Sequence, residues 1–321
     1  MTSVSVVIPN YNGMDHLRVC LDSLARQTLR PDQIIVVDDA SVDGSAEMVR
    51  ADYTEAILLQ MPCNGGFCKA ANAGLKRASG DVFALLNNDT EAEPGWLAGL
   101  VEALETQPKV GFCASKMLFF DHRDLVNSAG LFMRTDGVGR DVGFGRPDGP
   151  AFNAMREVFG ASAGAAAYKR EMLDDVGLLD EDLIAYAEDL DLSFRAQLRG
   201  WRCLYVPSSV VYHRMGATYK LESHTKVYLS SRNMLNVVLK NMPTTLLRRY
   251  WHHVLAAQIY QMLHFARRGR AWPAIKGKVD AVSQLRQILA KRRDIQRTRR
   301  TPDSQIEAIL SPSGWHRRPD R

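Results

Sequence analysis

The chain of 321 residues predicts an α/β fold: a mostly parallel central sheet flanked by helices, with a basic helical C-terminal extension. Three observations predict it. Short apolar runs alternate with helix-like stretches over the first 120 residues, which is the pattern of a parallel sheet covered on both faces. Several of those runs end in carboxylates and amides rather than in plain turn residues. Basic side chains then crowd into the segment after residue 240.

The elements follow in order. Val4 to Pro9, Gln33 to Asp38, Ala56 to Gln60 and Val82 to Asn87 are rich in Val, Ile and Leu and read as buried strands. Helices are expected at His16 to Gln27, Ser45 to Ala51, Phe67 to Ala78 and Pro94 to Thr106, with Pro94 in the first turn, where a missing donor costs nothing. Right-handed crossovers place the strands' C-terminal ends on one sheet edge. Phe120 to Pro150, rich in Gly, Asp and Arg, reads as an irregular or hairpin insertion. The small residues of 160–167 permit close backbone approach. A helix over Glu188 to Arg199 and strand-like Cys203 to Pro207 and Val210 to His213 follow, and the pattern after Leu221 is helical and basic. The organisation expected is a catalytic domain over 1–240, a basic amphipathic extension over 241–300 and a flexible tail over 301–321.

Hydrophobic content of 46% and charged content of 24% are those of an ordinary globular protein. The net charge of +5 conceals an asymmetry: 15 Lys and Arg face two acids, Asp280 and Asp294, between Lys240 and Arg300, while 301–321 is balanced, so the first 239 residues carry about −8. No basic and apolar leader opens the chain and no long apolar run occurs, so a cytoplasmic protein is expected. Cys20, Cys63, Cys68, Cys113 and Cys203 lack paired metal-site spacing and fit free thiols in a reducing compartment.

The chemistry lies at the strand ends. Asn87-Asn88-Asp89-Thr90 offers oxygen ligands suited to a hard divalent cation, Mg²⁺ or Mn²⁺, at the edge where open α/β sheets bind ligands. Asp38 and Asp39 end a buried strand, where a carboxylate needs hydrogen bonds or a ligand. One of them can accept the imide N–H of uracil or thymine while Tyr11 stacks on the base. Asp43 and Ser45 read as helix caps. The chain has no GxGxxG and no phosphate loop, which disfavours a dehydrogenase or a phosphate-loop NTPase.

These residues resemble the family 2 glycosyltransferases of the GT-A fold. The resemblance rests on Pro9-Asn10-Tyr11-Asn12-Gly13, Val36 to Ser41, Asn64-Gly65-Gly66-Phe67 with Ala71 to Gly74, and Asn87 to Thr90. Gly164-Ala165, Asp180-Glu181, Tyr186 to Leu192 with Arg195, Gly200-Trp201 and Val211-Tyr212-His213 extend it to the rhamnosyltransferase-like branch that builds cell-surface polysaccharides such as O-antigen and cell wall. It covers residues 3 to 240. It implies that Asp39 holds the base, with Asp38 in support and Tyr11 alongside. Asn64, Gly65 and Asn72 would line the nucleotide, and Pro9, Asn88, Gly164 and Ala165 the rest of the nucleotide-sugar site. Asp89 would bind the metal that bridges the diphosphate, with Asn87 and His213 as further ligands, although Asn87 stands where the family's DXD element has its first acid. Asp189 would be the base of an inverting transfer, with Glu188 orienting it or touching the acceptor, and Asp191 bracing the loop. The implied donor is dTDP-L-rhamnose, with another UDP- or GDP-sugar as the alternative. The implied acceptor is a lipid-linked glycan on a polyprenyl diphosphate.

A sugar nucleotidyltransferase would want a Gly-rich basic loop after the first strand, which Asn10 to Gly13 do not supply. A non-catalytic subunit would not need Asp39, Asp89 and Asp189 together. The basic extension carries Leu247, Trp251, Leu255, Ile259, Met262 and Ala266 at helical spacing, with Arg248, Arg249, Arg267, Arg268 and Arg270 nearby. Two readings stand open for it: a helix lying in an anionic membrane interface at the inner face of the plasma membrane, or one packed on the catalytic domain with a solvated basic face. Nucleic acid is disfavoured, because no DNA or RNA motif accompanies the charge.

Overall fold

The computed structural model describes residues 2–215 and 223–313. Its first half is the alternating pattern made solid. Strand β1 (Val4–Asn10) leads to α1 (Met14–Ala25), β2 (Gln33–Asp38) to α2 (Ser45–Asp52), and β3 (Ile57–Gln60) to α3 (Phe67–Arg77). Then come β4 (Val82–Leu86), β5 (Thr90–Ala92) and α4 (Trp96–Thr106). Strands β1 to β4 are mutually parallel in the order β3-β2-β1-β4, so their C-terminal ends share one edge. Pro94 sits before α4 and not in its first turn, because Gly95 occupies the cap and the Pro94 carbonyl accepts from Thr28 N–H.

The second half adds β6 (Val110–Phe119), β7 (Val126–Ser128), β8 (Leu131–Met133), β9 (Gly139–Asp141), β10 (Arg156–Val158), β11 (Ala165–Lys169) and β12 (Arg202–His213), with α5 (Arg170–Val176) and α6 (Glu188–Arg199). Strand β11 runs antiparallel between β4 and β6, and β12 lies parallel to β6, which completes a ten-stranded sheet. The two strand-like segments expected at 203–207 and 210–213 are one strand interrupted by a register shift between Val206 and Val210. The expected insertion holds the β8–β9 hairpin.

Apolar side chains of the central strands alternate between two cores. Val7, Ile35 and Leu85 point to the layer containing α3 and α6, whereas Val6, Val36 and Ala84 point to the layer containing α1 and α4. The period-2 pattern of each strand therefore fills both faces, which is why these runs are apolar throughout.

Five helices follow: α7 (His224–Asn241), α8 (Thr244–Arg267), α9 (Ala271–Ser283), α10 (Leu285–Thr298) and α11 (Asp303–Ile309). The boundary expected at residue 240 falls in the last turn of α7, and α9 packs along that helix. The expected flexible tail is corrected in part. Helix α11 is an ordered element whose Ile306 is fully buried, and its Glu307 pairs with Arg249 of α8. Residues 314–321 of that tail lie outside the described residues.

Candidate active site

The shared strand edge forms an open cleft lined by Pro9, Tyr11, Asp39, Asn64, Gly66 and Asn87 to Asp89 among others. Tyr11, 37% exposed, is among its lining residues.

Asp39 is buried, and its two oxygens accept from the backbone N–H groups of Gly65 (2.8 Å) and Gly66 (2.9 Å). The carboxylate therefore fixes the loop before α3 and keeps lone pairs for a ligand N–H. Gly66 has φ +83°, and a side-chain carbon there would come within 2.6 Å of Ile184, so the close turn requires glycine. Asp38 accepts from the Asn10 amide (3.2 Å) and from Ser41 N–H (3.2 Å). Asn88 donates to Asn10 at 2.6 Å, so it belongs to a chain linking the tips of β4, β1 and β2. Gly13 makes room for that chain, since a side-chain carbon there would lie 2.2 Å from the Asn88 amide nitrogen.

Asn72 is a correction. Its amide accepts from Leu179 N–H and donates to Leu179 O and Glu181, so it pins the 179–181 segment and does not line the cleft. Asp43 accepts from Ser45 N–H and its hydroxyl, and from Met14 N–H at the start of α1, as a capping residue does; Ser45 is corrected, being the first residue of α2 behind the Gly44 cap.

At the other end of the cleft, β5 pairs antiparallel with β12 in the register Thr90↔His213, and Arg214 N–H bonds Asp89 O. This pairing brings the His213 Nε2 within 3.3 Å of Asp89 Oδ1. The Nδ1 of His213 lies 3.0 Å from the Asn127 carbonyl oxygen, whose amide nitrogen faces the Met215 sulfur. In the neutral imidazole whose Nδ1–H donates to Asn127, Nε2 presents a lone pair. Asp89 Oδ1 is buried with no hydrogen-bond partner. In that tautomer two acceptors face each other, and a positive charge between them, a metal cation or the imidazole's own second proton, resolves the conflict. The residues thus fit a divalent metal, with Asp89 and His213 as ligands and Asn127 fixing the tautomer as an outer partner. Among the described residues no cluster of three acidic, histidine or cysteine ligands surrounds the point, so diphosphate oxygens and water would complete the shell.

Asn87 adjoins this point, and its N–H donates to Gly164 O. One residue before, the Ala163 backbone holds the raised Asp189 carboxyl down somewhat. Ala165 continues from this run as the first residue of β11. Glu188 and Asp189 open α6. Burial raises both carboxyls, Glu188 to about 8 with help from the Asp189 charge, and Asp189 to about 7 with help from Asp141. Glu188 Oε2 has no partner.

The approach to this pair is strained. Ile184, Tyr186 and Ala187 all have φ between 66° and 69°, a costly region for side chains other than glycine. Asn233 of α7, fully buried, donates to the carbonyls of Leu183, Ala185 and Tyr186, and Arg232 adds a bond to Asp182 O. Asp191, the third acid of α6, is held by Arg195 (2.9 Å), Lys240 (2.7 Å) and Asn241 (2.7 Å), a bracing role in agreement with the sequence. Sequence reasoning missed Asn127, Asn233 and Asp141. Each lies 47 residues or more from its partner at the site, and no short motif marks it.

Residues 5–177 match Glycosyl transferase family 2. The N-acetylglucosaminyl-diphospho-decaprenol L-rhamnosyltransferase of Mycobacterium tuberculosis is 29% identical over 237 residues, covering 66% of this chain and 76% of that protein. The uncharacterized protein y4gI of Sinorhizobium fredii is 28% identical over 67% of this chain, which spans only 25% of that longer protein. Among solved structures, the mannosyltransferase PcManGT of Pyrobaculum calidifontis, in complex with GDP-Man and Mn²⁺, superposes with a TM-score of 0.56 at 20% identity, over 96% of this chain and 84% of that one. The fold is that of the GT-A transferases, and the chain belongs to the family 2 glycosyltransferases.

Proposed function

We propose that this chain is an inverting, divalent-metal-dependent transferase that moves a sugar from a nucleotide donor to a growing glycan on a polyprenyl diphosphate, with dTDP-L-rhamnose as donor. The observation that carries the reading is the cleft at the shared strand edge, which brings Tyr11 and Asp39 together with Asn87 and Asp89. A donor lying along the cleft would meet a base-binding end at Tyr11 and Asp39 and a diphosphate end at Asp89. Its sugar would then point toward Asp189.

Asp189, raised toward neutrality, is matched to take the acceptor hydroxyl's proton as that oxygen attacks the anomeric carbon. Glu188, raised with it by burial and by the Asp189 charge, shares the pair's proton and orients the acceptor. A divalent ion at Asp89 and His213 would supply charge neutralisation for the departing diphosphate. The choice of rhamnose is supported by the branch motifs and by the name of the mycobacterial relative. A second reading, a GDP- or UDP-sugar, is supported by the GDP-Man in the archaeal structure. No helix among the described residues is long and apolar enough to cross a membrane, so a lipid-borne acceptor would be met by peripheral attachment at the inner face of the plasma membrane.

A donor panel tests the reading. Purified chain is given dTDP-L-rhamnose, UDP-sugars and GDP-sugars with a polyprenyl-diphosphate glycan, with and without Mg²⁺ or Mn²⁺, and nucleoside diphosphate release is measured. Metal-dependent release from dTDP-L-rhamnose alone is the expected result. Release from another donor selects the second reading, pyrophosphate release from a nucleoside triphosphate and sugar phosphate selects a nucleotidyltransferase, and no release from any donor refutes transfer.

A further inference from the structure

The outer surface of the α8–α9 hairpin is apolar where a solvated face would be polar. On α8, Trp251, Leu255, Ile259 and Leu263 recur at four-residue steps, each at least 44% exposed. The inward face of that helix is the separate row Leu246, Val254 and Ala257. On α9, Trp272, Ile275, Val279 and Val282 are 43% to 71% exposed, while Ala274, Gly277 and Ala281 face inward. Lys278 of α9 bonds Gln258 and Gln261 of α8, which marks the seam between the helices. Around the α9 wheel Ile275, Val279 and Val282 all lie to one side of Lys278 and the inward Ala274, Gly277 and Ala281 to the other; around α8, Leu255 and Ile259 lie to one side of Gln258 and the inward Val254 and Ala257 to the other. The two exposed rows therefore flank one seam and form a continuous surface.

Its charge identifies the occupant. Arg248 shares the face of α8 with this row, Arg267, Arg268 and Arg270 crowd the tip that joins α8 to α9, and Arg286 follows the last apolar residue of α9. The two acids of the region are engaged elsewhere, Asp280 with Tyr228 and Lys276, and Asp294 with Arg297. An aliphatic and tryptophan centre rimmed by arginine complements an anionic lipid surface: apolar side chains enter the acyl boundary and guanidinium groups meet lipid phosphates. A second copy of the chain would set one arginine rim against another, and a nucleic acid would find no use for the aliphatic centre.

We infer that the α8–α9 hairpin is a docking face for an anionic bilayer, on which the protein lies through the Trp251 and Trp272 rows. The inference deepens the peripheral attachment proposed above. Its test reads vesicle binding and not sugar transfer, so an inactive transferase leaves it standing.

Full-length protein is sedimented with vesicles of phosphatidylcholine alone or mixed with phosphatidylglycerol. Wild type is expected to partition onto the mixed vesicles and much less onto neutral ones. The double variant Leu255→Gln, Val279→Gln should lose about tenfold or more of that partitioning with an unchanged circular dichroism spectrum, both positions being exposed. Arg248→Glu with Arg267→Glu should lose it in a salt-dependent manner. Equal binding by the apolar variant and wild type would overturn the inference. So would a wild-type protein that ignores both vesicles, or one that is dimeric in solution and becomes monomeric in the apolar variant.

Discussion

The Nε2 of His213 stands 3.3 Å from Oδ1 of Asp89, held there by the antiparallel register of β5 on β12. With the imidazole neutral and its Nδ1–H donated to Asn127, neither facing atom has a proton for the other. That form of the contact is unfavourable by itself and favourable with a metal cation, so it favours the loaded state. Asp89→Asn should therefore raise thermal stability in metal-free buffer by about 1 kcal/mol, because an amide N–H can donate to Nε2. The same variant should lose the upward shift in melting temperature that wild type shows on adding Mn²⁺. Scanning calorimetry of both proteins with EDTA and with Mn²⁺ checks both signs, and equal Mn²⁺ responses would remove Asp89 from the metal site.

Asp39 should behave in the opposite way. Its carboxylate accepts from two consecutive N–H groups, and an amide in its place would turn one donor toward another. Asp39→Asn is expected to destabilise the chain by about 1–3 kcal/mol and to weaken nucleotide binding at least tenfold. Denaturant unfolding and titration with nucleoside diphosphate measure the two effects separately. Unchanged nucleotide affinity would mean that Asp39 only shapes the Gly65–Gly66 turn.

The sequence made the parallel half of this fold legible because each strand there pairs with neighbours fed by short crossovers. Gln33 to Asp38 and Glu188 to Arg199 match the observed elements at both ends. The placement of Asp39 and Asp89 beside strand ends and of Asp189 at a helix start was legible because those boundaries are marked locally. Asn72 misled for the same reason: the motif containing it is local, yet its partners Leu179 and Glu181 lie over a hundred residues away. Asn127 and Asn233 were illegible, since an asparagine that bonds a distant histidine or carbonyl has no periodicity to betray it. The outward apolar row of α9 was hidden too, because its helical spacing cannot say which of two faces is covered.

Asn233→Ala should separate loop geometry from chemistry. The amide it removes serves three carbonyls in a run of left-handed residues, so the loop before Glu188 loses its clamp. A loss of about 1–3 kcal/mol in stability is expected from the unsatisfied buried carbonyls, partly offset where the strained loop relaxes. Turnover should fall while the KM for donor stays within about twofold, because Asp39 and Asp89 are held by other elements. A rise in donor KM with unchanged turnover would place the loop in donor binding.

Asp189→Asn should abolish transfer while leaving nucleotide diphosphate affinity intact, since the acid belongs to α6 and not to the strand tips that hold the donor. Loss of nucleotide binding in a folded variant, followed by fluorescence titration, would instead move Asp189 into the donor site. In wild type, activity should climb as pH rises through the neutral range, because burial raises Asp189 to about 7 and a base must be unprotonated to act.

Glu188→Gln carries the linked stability prediction. Burial and the Asp189 charge raise the Glu188 carboxyl to about 8, well above its unfolded value near 4.5, so the folded chain binds the proton more tightly than the unfolded one. Stability conferred by that proton is complete below the unfolded value and is lost as pH rises toward 8. The glutamine variant cannot ionise and should escape this loss. Its melting temperature should match wild type near pH 5 and exceed it at pH 8, even as transfer slows. Equal melting curves at pH 5 and pH 8 for both proteins would show that Glu188 keeps an ordinary carboxyl and shares no proton with Asp189.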